Sequence, residues 1–170
     1  VMRADWPWTT SPGYYKMPQA TLESLHGGWF HTGDRGVIDA DGYFWFVDRT
    51  KDSIRRRGEN ISAYEIEQVV LRHPAVADAA AFAVASALGE DDVALAVVLR
   101  QGRSVAEREL VDYCDTRMAK FMLPRYVQYL TDLPRNASQK VEKFKLRAGA
   151  EKDLSQLWDR ERADTPARRG

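Results

Sequence analysis

The sequence predicts an α+β fold in which a three-stranded sheet is packed by helices. Three observations lead to this prediction: an Asp-Gly step joins two β-rich runs, two segments carry apolar residues at helical spacing, and three further apolar runs have the length of strands. The resulting order is hairpin, helix, strand, strand, helix, strand. This order favours a small α+β domain.

The first part of the chain predicts a short helix and a hairpin. Pro18 suits the first turn of a helix, and Gly27-Gly28 follow its expected end. The hairpin arms are the β-rich runs Arg35–Asp39 and Tyr43–Asp48, joined by Ala40-Asp41-Gly42. An Asp-Gly step between two such runs is a strong hairpin signal.

Two longer helices are predicted from capping boxes, in which a serine is followed three residues later by a glutamate. Ser62-Ala63-Tyr64-Glu65 precedes one apolar stripe, which Pro74 ends. Ser104-Val105-Ala106-Glu107 precedes a second stripe, which ends before Pro124. Both stripes repeat at the spacing of an amphipathic helix.

Three apolar runs are the predicted sheet strands, namely Val76–Val84, Val93–Leu99 and Tyr126–Leu130. The tail, residues 148–170, is rich in charge and has few apolar residues. We expect it to be a frayed helix followed by disorder.

Composition and charge exclude several classes of protein. The chain has 25 basic and 25 acidic residues among 170, so a surface tuned as a whole to nucleic acid or anionic membrane is excluded. A single cysteine, Cys114, cannot form an internal disulfide and fits a reducing compartment. No apolar run is long enough for a membrane helix. We therefore expect a cytoplasmic protein with no transmembrane segment.

The first polar stretch of interest is Gly28-Trp29-Phe30-His31-Thr32-Gly33-Asp34. Glycines on both sides of the aromatic pair, with Gly-Asp before a strand, indicate a loop that holds one carboxylate in place. Such a carboxylate can accept hydrogen bonds from both hydroxyls of a ribose, and a structural aspartate turn is the alternative. The three histidines are far apart and have no cysteines at metal spacing, so no metal site is predicted.

The second stretch is basic. Residues 48–57 contain five basic and two acidic side chains, a local net charge of +3. If Ser53–Arg57 is a strand, Arg55 and Arg57 share one face and Arg56 lies on the other. Arginines beside the Gly58 turn suit phosphate contacts, while a solvated hairpin and a nucleic-acid patch are the alternatives.

The third stretch is Leu133-Pro134-Arg135-Asn136-Ala137-Ser138-Gln139-Lys140. A polar loop that presents a lysine can bring a mobile cation to a phosphate or carboxylate. An ordinary surface lysine is the alternative.

Together, the three stretches resemble the C-terminal part of an adenylate-forming enzyme, the family of acyl-CoA synthetases, luciferases and peptide-synthetase adenylation domains. Residues 28–34 match the family's ribose-binding motif. Residues 48–52, with Gly58 and Glu65-Ile66-Glu67, match its hinge motif, and residues 133–140 resemble its closing motif. The residues Arg-Thr-Lys-Asp and Arg-Gly-Glu-Asn in the hinge motif most resemble those of crotonobetaine/carnitine–CoA ligases and related bacterial acyl-CoA ligases.

The resemblance implies two half-reactions. ATP and a carboxylic acid give an acyl-adenylate and pyrophosphate in the presence of magnesium, and coenzyme A then displaces AMP. It implies that Lys140 stabilises charge during adenylation. Lys51 falls at the hinge between the two reaction states. Where the family usually has glycine before the closing lysine, this chain has Gln139, so Lys143 and Lys145 are alternative candidates.

The resemblance also implies roles in ligand binding. Asp34 would hold the ribose hydroxyls with the help of Arg49. Arg55 and Asn60 fall at positions that contact the nucleotide or the pantetheine tunnel, and Gly58 falls on a hairpin that approaches coenzyme A.

The implied organisation is a fragment of a larger enzyme. Residues 1–48 would be the β-rich end of the large N-terminal domain, and residues 49–147 a C-terminal lid domain. The family's phosphate loop, acyl pocket and magnesium ligand are expected in the remaining N-terminal domain, which would be the partner of this chain. We therefore expect the isolated chain to be inactive.

There are three alternatives to an acid–CoA ligase. In the first, the fold is the same but the chain comes from an adenylation domain that loads a carrier-protein thiol, or from a luciferase-like oxidase. A basic binding module built on residues 49–57, or a purely structural domain, would leave the chain without a catalytic role.

Overall fold

In the computed structural model, the chain is described over residues 1–2, 11–86 and 89–164. It divides into two compact units, Val1–Lys51 and Asp52–Gly170. No helix in these described ranges is long and apolar enough to cross a membrane.

Within residues 1–2 and 11–51, the first unit contains one helix and two antiparallel strand pairs. Its elements in chain order are α1 (Pro18–Ser24), β1 (Leu25–His26), β2 (Trp29–Phe30), β3 (Asp34–Ile38) and β4 (Phe44–Arg49). Strand β1 pairs with β2, and β3 pairs with β4. Both the short helix and the hairpin predicted from the sequence are present.

One carboxylate, that of Asp39, fixes the turn between β3 and β4. Asp39 Oδ1 accepts hydrogen bonds from the backbone N–H groups of Asp41 (3.0 Å) and Tyr43 (2.9 Å). Its Oδ2 accepts one from the indole N–H of Trp45 at 2.6 Å. The Trp45 hydrogen bond, followed by that of Tyr43, holds the pKa of Asp39 below its usual range because both favour the ionised form.

The second unit is an α+β domain. Its elements are β5 (Ser53–Arg56), β6 (Glu59–Ser62), α2 (Ala63–Leu71), β7 (Val76–Ala85), β8 (Asp91–Leu99), α3 (Glu107–Asp115), β9 (Tyr126–Leu130), α4 (Lys143–Lys152), β10 (Trp158–Asp159) and α5 (Arg160–Asp164). Strands β5 and β6 form a separate hairpin. The main sheet has the order β10-β9-β8-β7, in which only the β8–β9 pair is parallel.

The predicted fold class is confirmed, and the predicted strands β7, β8 and β9 form the body of the sheet. Side chains alternate across each strand, so β7 and β8 supply two separate apolar clusters. Ala81, Leu95 and Val97 pack with Ile66 of α2 on one face. On the other face, residues including Phe82 pack with α4. Because both faces are buried, these strands read as continuous apolar runs.

The two predicted capping boxes have different outcomes. Ser62 caps α2, and its hydroxyl accepts a hydrogen bond from the Glu65 N–H at 3.3 Å. Ser104 does not cap α3, which begins at Glu107 after an extended Ala106. The Tyr129 hydroxyl donates to the Val105 carbonyl at 2.9 Å, and Val105 is buried, so residues before α3 are held extended against the sheet.

The tail differs from the expectation of a frayed or disordered segment over residues 148–170. Helix α4 continues to Lys152, and Trp158 of β10 pairs with Val127 of β9. Leu157 is only 7% exposed and joins the core beside α4. A single buried leucine and a two-residue strand are too short a pattern to recognise in the sequence. Residues 165–170 lie outside the described residues.

Candidate functional site

Asp34 and Arg49 come together in the first unit, because they are register partners at the open end of the β3–β4 hairpin. Arg49 Nε lies 3.2 Å from Asp34 Oδ1. The Thr50 N–H donates to the Gly33 carbonyl at 2.8 Å, which closes the hairpin beside them. The sequence predicted both residues, and the hairpin register explains why they meet.

The Asp34 carboxylate has remaining hydrogen-bonding capacity. Its Oδ1 is buried and, among the described residues, receives no well-aligned hydrogen bond, although Arg49 Nε lies within ion-pair distance. The Asp34 side chain as a whole is 28% exposed. A partly exposed carboxylate beside a guanidinium can accept hydrogen bonds from ligand hydroxyls while its charge stays balanced.

The histidines of the first unit do not form a metal centre. His26 and His31 stack edge to face, with ring centroids 5.2 Å apart. Within residues 1–2, 11–86 and 89–164, no group of three or more histidine, cysteine, aspartate or glutamate side chains is arranged to hold a metal ion.

Arg55, Gly58 and Asn60 lie on the β5–β6 hairpin of the second unit. Arg55 and Asn60 are register partners. Arg57 and Gly58 both have positive φ, +53° and +78°, and form a two-residue turn between the strands. The expected strand Ser53–Arg57 therefore ends one residue early, at Arg56, and Arg57 lies in the turn.

Arg56 points away from the exposed hairpin face into the core. Its guanidinium donates to the backbone carbonyls of Phe121 (3.3 Å) and Leu123 (3.0 Å) and lies 3.2 Å from Asp92. Burial lowers the pKa of Arg56, and the Asp92 carboxylate opposes this shift. The residue is 4% exposed, so the basic stretch is not a continuous cationic surface.

Asp92 connects Arg56 to a second arginine. Arg125 lies 2.9 Å from Asp92, 3.4 Å from Asp159 and 3.1 Å from Glu161. Burial lowers the pKa of Arg125, but the hydrogen bond to Asp159 and the nearby carboxylates outweigh it, so the net shift is upward. These charges join β5, β8 and the tail.

Sequence reasoning did not find the acidic residues that hold the β5–β6 hairpin. Glu90 and Asp91 accept hydrogen bonds from its backbone, and Asp92 pairs with Arg56. The available signal was the run Glu90-Asp91-Asp92, which balances the three consecutive arginines at 55–57. Its position at the start of β8 becomes meaningful only in the folded sheet.

Lys140 ends a loop that is closed by its own hydrogen bonds. Asn136 Oδ1 accepts from the backbone N–H groups of Ser138 and Lys140, each at 3.0 Å, and the Asn136 N–H donates to the Lys140 carbonyl at 2.9 Å. Arg135 donates to the Gln139 carbonyl at 2.6 Å and pairs with Asp78 of β7. Lys140 is therefore presented from a defined loop.

The three candidate lysines have different environments. Lys143 lies 2.8 Å from Glu67 of α2, and Lys145 pairs with Glu142. In the part of the chain that the structure describes, no carboxylate pairs with the exposed Lys140 ammonium. Gln139, at the position where glycine was expected, has a φ of +62°. The loop thus adopts a glycine-like conformation without glycine.

Lys51 lies in a short 3-10 turn, Thr50–Asp52, and is the last residue of the first compact unit. The site residues are therefore divided. Asp34, Arg49 and Lys51 belong to the first unit, and the hairpin and Lys140 belong to the second.

Comparison with known proteins identifies relatives of this chain. Residues 65–140 match the AMP-binding enzyme C-terminal domain. The crotonobetaine/carnitine–CoA ligase of Salmonella heidelberg is 41% identical over 135 residues, which are 79% of this chain and 26% of that ligase. The chain thus spans about a quarter of the length of the curated relatives it matches.

Solved structures with the same fold include two ligand-bound enzymes. The ATP-bound MatB from Rhodopseudomonas palustris has a TM-score of 0.75 and 35% identity, over 84% of this chain and 28% of that one. The O-succinylbenzoate coenzyme A synthetase MenE from Bacillus subtilis, in complex with AMP, has a TM-score of 0.71 and 37% identity, over 80% and 27%. The chain therefore contains an AMP-binding enzyme C-terminal domain, and over most of its length it is similar to adenylate-forming acyl-CoA ligases.

Proposed function

We propose that this chain is the C-terminal part of an ATP-dependent acid–CoA ligase. The complete enzyme would convert a carboxylic acid and ATP to an acyl-adenylate and pyrophosphate, and then transfer the acyl group to coenzyme A. The names of the relatives support this reaction, since they include a crotonobetaine/carnitine–CoA ligase and a coenzyme A synthetase. The cytoplasmic location expected from the sequence stays a prediction.

The observation that carries the proposal is the state of Lys140. Its loop is fixed by Asn136 and Arg135, yet its exposed ammonium has no carboxylate partner among the described residues. During adenylation, an oxygen of the acid attacks the α-phosphate and pyrophosphate leaves. A cation held near the attacking and phosphate oxygens stabilises the charge that builds up there.

Asp34 and Arg49 are proposed to bind the nucleotide. The Asp34 carboxylate would accept hydrogen bonds from both ribose hydroxyls, and the adjacent Arg49 would balance its charge and assist. Their 3.2 Å contact and the buried Oδ1 support a carboxylate that is fixed before the ligand binds.

The β5–β6 hairpin is proposed to act in the second half-reaction. Rotation at Lys51 would withdraw Lys140 and bring Gly58 to the pantetheine tunnel, with Arg55 and Asn60 contacting the nucleotide or the tunnel. The boundary of the first compact unit at Lys51 supports a hinge there, because a short polar segment between two cores absorbs large backbone changes cheaply.

The remaining parts of the active site are proposed to lie outside this chain. Residues 1–48 would be the end of the large domain and 49–147 the lid, while the phosphate loop and acyl pocket would belong to the rest of the enzyme. No group of three or more histidine, cysteine, aspartate or glutamate side chains among the described residues is arranged to hold a metal ion, and the magnesium ligands would belong to the rest of the enzyme.

The test is Lys140→Ala in the complete enzyme, with the two half-reactions assayed separately. We expect pyrophosphate release to fall by about 100-fold, because a charge-stabilising contact in a closed site contributes several kcal/mol. Thioester formation from preformed acyl-adenylate should be nearly unchanged. Lys145→Ala is the matched control and should leave both rates within about twofold. Loss confined to thioester formation would contradict the role of Lys140.

A further inference from the structure

The tip and outer edge of the β5–β6 hairpin are held by the start of β8. Glu90 Oε1 accepts from the Gly58 N–H at 3.2 Å, and Glu90 Oε2 accepts from the Arg57 N–H. Asp91 Oδ2 accepts from the Arg55 N–H at 3.1 Å. Two consecutive acidic residues thus bind three backbone N–H groups that the β5–β6 pairing leaves without a strand partner.

The Arg57–Gly58 turn is suited to bind a carboxylate. Because both residues have positive φ, their successive N–H groups point toward one side and form a small anion-binding concavity. The Glu90 carboxylate places one oxygen on each N–H. Arg57 has a side chain in a conformation that favours glycine, so these hydrogen bonds offset a strained backbone.

Glu90 is itself held in place by its own turn. The Ser86 N–H donates to the Glu90 carbonyl at 2.8 Å, and the Gly89 N–H donates to the Ser86 carbonyl at 3.2 Å. The side of Gly58 where a Cβ would project is open, with no atom within 4 Å. The Arg57–Gly58 turn is therefore held on the side that faces Glu90. The opposite surface of Gly58 is open to a ligand.

We propose that Glu90 is a positioning residue for thioester formation: it fixes the Arg57–Gly58 turn in the conformation that receives coenzyme A. This inference rests on the proposed function, in which Gly58 faces the thiol substrate. A two-stranded hairpin is marginally stable by itself, so its tip needs an external contact to stay in one conformation. Asp91 and Asp92 contact Arg55 and Arg56 on the β5 arm, whereas Glu90 binds the two turn residues themselves, so the effect of Glu90 is expected to be greatest at the turn.

The first measurement is amide hydrogen exchange, followed by NMR, on the 170-residue chain with Glu90→Gln. Glutamine has the size of glutamate but only one acceptor oxygen, and its NH₂ group would face the other backbone N–H. We expect exchange at Arg57 and Gly58 to become at least about tenfold faster, while amides of β7 and β8 are unchanged. Glu109→Gln on the exposed face of α3 is the matched control and should leave all of these rates unchanged.

The second measurement uses the complete enzyme with the same variants. For Glu90→Gln, we expect the rate of thioester formation to fall about tenfold, while pyrophosphate release without coenzyme A stays within twofold. Glu90→Asp keeps the carboxylate on a shorter side chain and should recover part of the thioester rate. A purely structural role would lower both half-reactions together.

Two results would overturn the inference. One is an equal loss of both half-reactions in Glu90→Gln, and the other is faster exchange at Arg57 and Gly58 with an unchanged thioester rate. A wild-type enzyme that forms neither adenylate nor thioester with any acid would refute the proposed function and the positioning role together. The three results are distinguishable, because only the last involves the unsubstituted enzyme.

Discussion

The Arg56 guanidinium lies 3.2 Å from the Asp92 carboxylate, and both side chains are at least 93% buried. Asp92 also forms an ion pair with Arg125 at 2.9 Å, so one carboxylate pairs with two arginines. Removing the shared anion leaves two cations close together, one of them buried, whereas removing Arg56 leaves Asp92 with a partner. The two partners should therefore differ in their importance for stability.

We predict that Asp92→Asn lowers the free energy of unfolding by about 3–5 kcal/mol and that Arg56→Met lowers it by about 2 kcal/mol. The first value is typical of an uncompensated buried charge, and the second reflects two carbonyls that lose their donor. Urea denaturation of the chain measures both. Glu161→Gln, at the exposed end of the network, is the control, with an expected loss under about 1 kcal/mol. An equal or larger loss in Arg56→Met would contradict the shared-anion interpretation.

Gln139 gives a prediction about the Lys140 loop. Its φ of +62° costs a residue with a side chain about 1 kcal/mol, and glycine adopts it freely. Gln139→Gly should therefore raise the free energy of unfolding by up to about 1 kcal/mol, reduced by the greater freedom of glycine in the unfolded chain. Thermal and urea denaturation provide the measurement.

Ser138→Gly is the matched control for this loop, because Ser138 does not have a positive φ. It should lower stability by a few tenths to about 1 kcal/mol, since glycine adds only unfolded-state freedom there. Equal effects of the two substitutions would show that the Gln139 backbone is not strained.

The tail gives a third prediction. Leu157 is 7% exposed and packs in the cluster on the α4 side of the sheet. Leu157→Ala should lower the free energy of unfolding by about 2–3 kcal/mol, through lost burial and the cavity left behind. Phe144→Ala is the control, because Phe144 is 65% exposed on α4. A loss below that of Phe144→Ala would mean that the tail does not pack on the domain in solution.

Cys114 gives a prediction that depends on pH. The residue is buried in the core beside α2, and burial raises the pKa of its thiol to about 11. At pH 8 the thiolate fraction is then about 100-fold below that of an unperturbed cysteine, since each pKa unit changes it tenfold. Alkylation by iodoacetamide should be slower by at least this factor in the folded chain.

The sign of the pH effect follows from the raised pKa. Because the folded protein holds the thiol proton more tightly than the unfolded chain, stability from this group is present below pH 9 and is lost between pH 9 and about pH 11. Cys114→Ala should remove this part of the stability loss. Equal alkylation rates in buffer and in 8 M urea would refute the buried thiol.

Much of the fold could be predicted from local patterns. The Asp-Gly hairpin, the Ser62 capping box and the three strands of the sheet body depend on residues that are close in sequence. The Ser104 capping box failed because Tyr129, on a distant strand, holds Val105 in an extended segment. The ordered tail was missed for a similar reason, since Trp158 is stabilised by pairing with Val127.

The candidate site divides in the same way. The identities of Asp34, Arg49 and Lys140 come from motifs, and those motifs led to the family that the comparisons found. The role proposed for Glu90 rests on contacts between residues more than thirty positions apart. No residue pattern in the basic stretch indicated that the Arg56 side chain is buried beside backbone carbonyls and a carboxylate, while Arg55 is exposed.

The sequence by itself determined the fold class, the family and which residues carry chemical groups, because motifs and hydrophobic periodicity are written in short stretches of chain. The tertiary structure decided which of the three candidate lysines has no carboxylate partner among the described residues, which arginine is buried and which acids contact the β5–β6 hairpin. These properties depend on burial and on the distance between groups brought together by folding. Coulombic and hydrogen-bond energies change steeply with both, so they cannot be read from residue order.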